Sequence, residues 1–306
     1  MQAAQDILLI KPSGFAYNDE TAVSNTFQQI TDLSPGMIQQ KVAEEFDAFA
    51  DKLRLKGVNV MVIEDSDFPL KPDAVFPNNW ASYHADGTII LYPMCAANRR
   101  LEKRPEIISN IRKRYAVNNI IDLSGYELAN RFLEGTGSII FDHISKLAYA
   151  CISPRTDKGL FEELVKQLNY SPVLFYAHDR AGAEIYHTNV MMCIAEKFAV
   201  ICLDSISKQE KREFVRQSLL QTNHEIITIS FHQMKSFAGN MLALQSINNN
   251  DLLAMSQSAF DSLTADQKTV IEKYAEIVPL AIPTIETIGG GSARCMIAEI
   301  FLPPLI

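Results

Sequence analysis

Five chemically distinctive residues recur along the 306-residue chain at nearly equal intervals. Asn79 to Glu134 is 55 residues, Glu134 to His187 is 53, His187 to Asn240 is 53, and Asn240 to Cys295 is 55. A period in this range marks a stacked or radial repeat. Five units of about 55 residues nearly fill the sequence, a length typical of such arrays. The apolar N-terminal stretch "ILLIKP" (7–12) would complete the first of them. In a closed ring, equivalent positions of successive units face one axis, so residues far apart in sequence meet at one mouth of it. The competing arrangement is a doubly wound sheet in which the spacing is coincidental.

The local pattern repeats with the same period. "AVFPNNWASYHADGTIILYPM" (74–94) reads as two strands about an Asp86-Gly87 turn, a strong hairpin signal. Further hairpins are expected in 132–153, 186–206 and 239–256. Helices follow them at 99–117, 156–170, 207–223 and 263–276, and single strands at 118–125, 171–179 and 225–231. Thr156 or Asp157 is suited to cap the second of these helices, and Ser207-x-x-Glu210 reads as a capping box for the third. "RCMIAEIFLP" closes the chain. The fold class is α/β, and with no Pro/Gly/Ser linker in the sequence, residues 1–306 form one domain.

Composition narrows the function. The chain is 47% hydrophobic and 21% charged, enough to build a large core. Its net charge of −8 offers no basic surface for nucleic acid. No apolar run reaches 18 residues, so no membrane span is expected, and the N-terminus lacks the pattern of a signal peptide. The five cysteines, at 95, 151, 193, 202 and 295, are odd in number and match no zinc spacing. Free thiols in a reducing, cytoplasmic compartment follow, with neither metal nor cofactor. The composition is compatible with a homo-oligomer.

The chemistry concentrates on the landmarks. "IGGGSARCMI" (288–297) brings three glycines into Cys295, and glycines stand where backbone bends unusually or approaches something closely. In a ring, Asn79, Glu134, His187, Asn189, Asn240 and Cys295 share one mouth. A thiol, an imidazole and a carboxylate together supply a nucleophile, a proton shuttle and a group that orients the shuttle. The neighbouring Arg294 or His187 would favour the reactive thiolate. Taken singly, a Cys before an apolar strand, or a lone His, is more often a packed residue.

The order of motifs resembles the guanidino-group-modifying superfamily of arginine deiminases, dimethylarginine dimethylaminohydrolases, amidinotransferases and citrulline-hydrolysing relatives. The matching stretches are "PDAVFPNNW", "NRRLE", "LEGTGSIIF", "ISPRTDKG", "YHTNVMM", "AGNMLAL" and "GGGSARCM", spread over nearly the whole chain. The resemblance implies the pentein fold, a five-bladed α/β propeller with a pseudo-fivefold axis. It implies Cys295 as nucleophile, His187 as general acid and base, and Glu134 as its orienting carboxylate. Arg99 and Arg155 would hold a substrate α-carboxylate, and Asp73 would touch the substrate's polar end.

One departure from the family pattern matters. Deiminases clamp a guanidinium with carboxylates where this chain has Asn78, Asn79 and Asn189. A guanidinium buried without countercharge is costly, whereas Asn offers one donor and one acceptor. That suits a neutral ureido group, so the expected reaction is hydrolysis of citrulline to ornithine, ammonia and CO2 through an S-linked intermediate. A deiminase or amidinotransferase acting on a guanidino substrate is the alternative, and a non-catalytic pentein binding protein the second alternative. "YNDETAVSN" (17–25) resembles the citrulline-utilising branch, and residues 17–27 are suited to form a lid.

Overall fold

The computed structural model describes residues 1–305. Its strands fall into five units with one internal plan. In each, the first and second strands pair antiparallel and the third pairs parallel to the second. The units are β3 (Ala81–Tyr83), β4 (Thr88–Leu91) and β5 (Asn119–Asp122); β6 (Ile140–Asp142), β7 (Leu147–Cys151) and β8 (Ser171–Phe175); β9 (Met192–Ile194), β10 (Phe198–Ile201) and β11 (Glu225–Thr228); and β12 (Leu242–Gln245), β13 (Asp251–Ser256) and β14 (Glu276–Leu280). The fifth is built from both chain ends: β15 (Ala298–Ile300) pairs antiparallel with β1 (Asp6–Lys11), and β1 pairs parallel with β2 (Asn59–Glu64). One further pairing, Ile300 with Tyr83, joins the fifth unit to the first and makes a six-stranded sheet.

The pairing explains where the helices lie. Parallel neighbours need a long crossover, whereas the antiparallel pair is closed by a short turn. Helices therefore stand between the second and third strands of each unit, as Lys158–Gln167 and Gln209–Gln221 do. Asp157 caps the former, accepting from the Leu160 N–H at 2.7 Å. The capping box expected at Ser207 does not form. The helix starts one residue later, at Gln209 behind Lys208, with no side-chain cap, and Ser207 Oγ lies 3.3 Å from His178 Nδ1 instead. The single helix expected over 99–117 is divided into a 3-10 turn at Asn98–Glu102 and a short helix at Pro105–Ile111. Pro105 takes the first helical position, where its missing N–H costs nothing.

The longest helix, Pro35–Leu55, fills the crossover between β1 and β2, a stretch on which the repeat pattern is silent. Its local signals are plain. Ser34 caps it, Pro35 opens it, and Val42, Phe46, Phe49 and Leu53 make one buried stripe. That stripe packs with Ile7, Leu9, Val278 and Ile285 in one core cluster that also reaches Cys295.

Each unit is joined to the next by an irregular connection, and these connections carry the landmark residues. Asn79 ends a 3-10 turn before β3, Glu134 precedes the turn before β6, and His187 precedes the turn before β9. Asn240 lies two residues before β12, and Cys295 three before β15. The period read from the sequence is thus the spacing of inter-unit connections.

Candidate active site

Two glycines let neighbouring connections meet. Gly135 has φ +50°, and a β-carbon there would lie 2.9 Å from the Asn79 carbonyl oxygen, so a side chain is excluded twice over. The Glu134 segment can therefore rest directly on the Asn78–Asn79 turn. Two residues on, a β-carbon at Gly137 would lie 2.8 Å from His187 Nδ1 and also meet Asn79 Nδ2. These two nitrogens converge over the same bare α-carbon.

His187 donates its Nε2–H to Glu134 Oε2 at 2.8 Å. Glu134 is fully buried. Its other oxygen accepts the Cys95 N–H at 2.9 Å, and Arg155 Nη1 stands 3.5 Å away. Burial pushes the Glu134 carboxyl upward, but the Arg155 charge, the His187 hydrogen bond and the Arg99 charge outweigh it and hold the group at about 2. Burial lowers the His187 imidazole to about 4 against the pull of Glu134. At neutral pH the pair is a neutral ring bonded to a carboxylate, and Nδ1 is left as the free acceptor.

Cys295 is buried, with Asn240 Nδ2 3.3 Å and Asn189 Nδ2 3.5 Å from its sulfur. Asn240 is held in that orientation because its Oδ1 accepts the Arg294 N–H at 3.0 Å and its Nδ2 also donates to the Asn189 carbonyl. Burial raises the thiol above its ordinary value, while the Ser292 backbone bond, the Asn240 and Asn189 amides and the Arg294 charge oppose the rise without cancelling it. The resting sulfur is a protonated thiol. The expectation that Arg294 would make it a thiolate is corrected by where that side chain goes: its guanidinium turns to the Ile297 carbonyl and to Glu299 at 2.7 Å. Most of its charge is spent there.

Cys295, His187, Asn79, Asp73, Arg99 and Arg155 all line one small cavity, which Thr21 and Asn25 also line. Its volume of ≈ 20 Å³ is room for about one water. The four other expected residues are not among its lining: Glu134 stands behind His187. Asn189 and Asn240 reach Cys295 from below, and the Asn78 side chain has no hydrogen-bond partner and does not face the cavity.

The two arginines separate. Arg99 spends four of its five N–H groups inside the protein, on both oxygens of Glu102 at 2.8 and 2.9 Å, on Asn79 Oδ1 at 2.7 Å and on the Phe76 carbonyl at 3.1 Å. These bonds hold it in an ion pair with Glu102 while it still lines the cavity. Burial disfavours charge on Glu102, but the bidentate geometry is that of an ion pair. Glu102 lies three residues from Arg99, a helical spacing that could have disclosed it. Arg155 is different. It stacks over Tyr186 at 4.8 Å and points its fork outward, to Ser24 Oγ at 2.7 and 2.9 Å and to the Thr21 carbonyl at 2.8 Å.

Residues 17–29 lie over the cavity. Asn18 Nδ2 and Thr21 Oγ1 donate to Asp73 Oδ2 at 2.7 and 3.1 Å, leaving Asp73 Oδ1 buried and unpaired. Asn25 donates to the carbonyls of Gly289 and Gly290, and Tyr186 donates to Gly290 at 2.9 Å. Nothing in the sequence singled out Tyr186, because its role depends on two partners more than 30 residues away.

Among the described residues, no cluster of His, Cys, Asp or Glu could hold a metal ion, and no helix is long and apolar enough to cross a membrane.

Comparison with solved structures shows the same fold. The N-terminal domain of ArgZ, an arginine dihydrolase from the ornithine–ammonia cycle in cyanobacteria, was solved as a cysteine-to-serine mutant bound to substrate. It is 15% identical, with a TM-score of 0.76 over 98% of this chain and 99% of that one. Against the apo ArgZ chain the match is the same over 98% of this chain but covers only 41% of that one. A cysteine-to-serine mutant of dimethylarginine dimethylaminohydrolase (DDAH) from Pseudomonas aeruginosa, complexed with citrulline, is 14% identical, with a TM-score of 0.67 over 97% of this chain and all of that one. No curated protein sequence matches the chain. The profile of the eukaryotic N,N-dimethylarginine dimethylhydrolase family matches residues 11–302. The chain therefore belongs to that family, within the pentein guanidino-modifying superfamily, and is a hydrolase acting on carbon–nitrogen bonds.

Proposed function

We propose that this protein is a cysteine hydrolase of a ureido amino acid, converting citrulline to ornithine, ammonia and CO2. The observation that carries the reading is Asn79. Arg99 can only donate, so Asn79 Oδ1 must face it, and the buried Nδ2 is left unpaired on the cavity side next to His187 Nδ1. An unpaired donor suits a carbonyl oxygen. Asn189, whose Nδ2 lies 3.5 Å from the Cys295 sulfur and whose Oδ1 is buried and unpaired, adds a neutral group behind the nucleophile.

The five units are read as blades of a closed propeller with the site at its mouth, and residues 1–306 as one catalytic domain. In the reaction, His187 Nδ1 takes the Cys295 proton, and the imidazolium is stabilised by Glu134. The Asn189 and Asn240 amides steady the thiolate. The sulfur attacks the ureido carbon, the C–NH2 bond breaks, and His187 returns the proton to the departing ammonia. Water, deprotonated by the same ring, then cleaves the thiocarbamate and restores Cys295, and the released carbamate breaks down to ornithine and CO2. Arg155 takes the substrate carboxylate once Ser24 and Thr21 move off it, and Asp73 Oδ1 takes the ammonium. A cavity of ≈ 20 Å³ excludes an amino acid, so residues 17–27 act as a lid that must open.

A second reading has its own support. Among the described residues, the three carboxyls Asp73, Glu102 and Glu134 face two cations, Arg99 and Arg155, and burial raises Asp73 and Glu102, a surplus that a guanidinium would relieve. The ArgZ relative is an arginine dihydrolase. The deciding experiment offers citrulline, arginine, methylated arginines and agmatine, and measures ammonia and amine products. Citrulline with the highest kcat/KM supports the ureido reading; arginine preferred by tenfold or more returns the chain to guanidino chemistry.

A further inference from the structure

The turn that delivers Cys295 closes on the Ser292 carbonyl, and among the groups that hold it from outside is one carboxylate that the reaction does not use. Glu286 is 7% exposed, and no Lys, Arg or His lies within ion-pairing distance of it among the described residues. Its Oε1 accepts from Ser292 Oγ at 2.5 Å, and its Oε2 accepts from Ser258 Oγ. Ser258 is in turn 3.1 Å from Ser256 Oγ. A buried carboxylate without a countercharge is expensive and is retained where its geometry serves something. Here both oxygens are satisfied by hydroxyls, and one of those hydroxyls belongs to the nucleophile turn.

The link to Cys295 is direct. Ser292 is fully buried, and its carbonyl accepts the Cys295 N–H at 2.9 Å and the Met296 N–H at 3.3 Å. The helix Pro283–Gly289 that carries Glu286 is itself fixed. Glu45 accepts from the Thr284 and Ile285 N–H groups, and the helix ends at Gly290 with φ +61°. Glu286 thus ties a fixed helix to the residue on which the Cys295 backbone closes its turn.

We infer that Glu286 is a positioning residue for Cys295, acting through the Ser292 hydroxyl. The inference rests on the reading of Cys295 as nucleophile. Glu286→Ala frees Ser292 and lets the turn drift, while the cavity residues that bind substrate keep their places. The expected result is a 10- to 100-fold loss of kcat with KM changed less than threefold, and an altered rate of Cys295 alkylation by iodoacetamide at fixed pH. Glu286→Gln keeps an acceptor for Ser292 and restores most of the rate. Ser292→Ala, a smaller change, removes the same bond, and the double variant is no worse than either single one. Wild-type kcat and alkylation rate in a folded Glu286→Ala or Ser292→Ala protein overturns the inference, as does full additivity of the two changes. The alkylation readout needs no substrate. If the protein turns over neither citrulline nor arginine, the proposed function fails while the positioning claim is still decided.

Discussion

His187 gives its Nε2–H to Glu134 across 2.8 Å, and that single bond leaves Nδ1 as the one ring nitrogen free to accept a proton. With Nε2 committed, Nδ1 is the nitrogen free to serve as base in the proposed reaction, and it sits over Gly137 beside Asn79 Nδ2. His187→Ala is expected to remove activity. Glu134→Gln replaces an oxygen pair that accepts from His187 and Cys95 with one oxygen and one donor. It should lower kcat by about 100-fold, the low end of the range for general acid–base catalysis. Steady-state kinetics on the preferred substrate check both, and an unchanged kcat in Glu134→Gln would falsify the orienting role.

Cys295→Ser should abolish turnover and leave the thermal midpoint nearly unchanged, because a hydroxyl is a poor nucleophile of similar volume. In the wild type, burial holds the thiol above its ordinary range. The thiolate therefore accumulates only at alkaline pH, and inactivation by iodoacetamide should climb through pH 9 without a plateau near neutrality. A plateau below pH 7 would show a preformed thiolate and contradict the resting state described here.

Gly137→Ala tests the convergence of Asn79 and His187. Its β-carbon would lie 2.8 Å from His187 Nδ1 and closer still to Asn79 Nδ2. Backbone strain is absent at this glycine, so the clash falls on the two functional side chains. Activity should drop by at least 100-fold, about 3 kcal/mol in barrier, while the protein still folds. An active Gly137→Ala enzyme means that neither nitrogen is needed where it stands.

Charge at the asparagines should act unequally. An Asp at 79 would meet Arg99, whose Nη1 already bonds to that position, so the new charge is largely absorbed. An Asp at 189 has no such partner, loses the amide donor to Cys295 and leaves an unpaired charge behind the sulfur. The ratio of kcat/KM for arginine over citrulline should rise by roughly 1–3 kcal/mol in Asn189→Asp, the worth of a hydrogen bond to a charged group, and less in Asn79→Asp. Equal or absent shifts in both variants would remove the asparagines from substrate choice.

Acid should destabilise the protein early. Burial lowers His187 to about 4, His84 to about 4 and His143 to about 3, each from 6.5. The unfolded chain takes up these protons first, so stability present above pH 6.5 is lost as pH falls toward 4 and 3. Glu134, held at about 2, adds a second loss between 4.5 and 2. Thermal midpoints measured from pH 8 to pH 3 should fall from about 6.5 downward, less steeply than the histidines alone would give, because the buried carboxyls Asp73, Glu102 and Glu286, raised by burial, take up protons in the folded state. A flat profile to pH 4.5 would show that the histidines are not buried neutral.

The sequence by itself determined the chemical cast and its order. The near-equal spacing of Asn79, Glu134, His187, Asn240 and Cys295 marks the inter-unit connections, because each unit spends a similar length on three strands and a crossover. Hairpin turns such as Asp86-Gly87 and caps such as Asp157 are local, and local chemistry is readable in a string. The 35–55 helix lies outside the repeat argument and is not among the elements expected from the sequence, although Ser34, Pro35 and its apolar stripe are local signals of it. What only the tertiary structure decided is pairing over distance. Arg99 meets Glu102 and Asn79 while Arg155 turns to Ser24, a distinction that two arginines in similar motifs do not carry. Arg294 stands next to Cys295 in sequence yet gives its charge to Glu299, since a side chain's direction follows from the packing around it. The protonation of Cys295 and His187 depends on burial, and burial is a property of the assembled molecule: no single stretch of residues contains it.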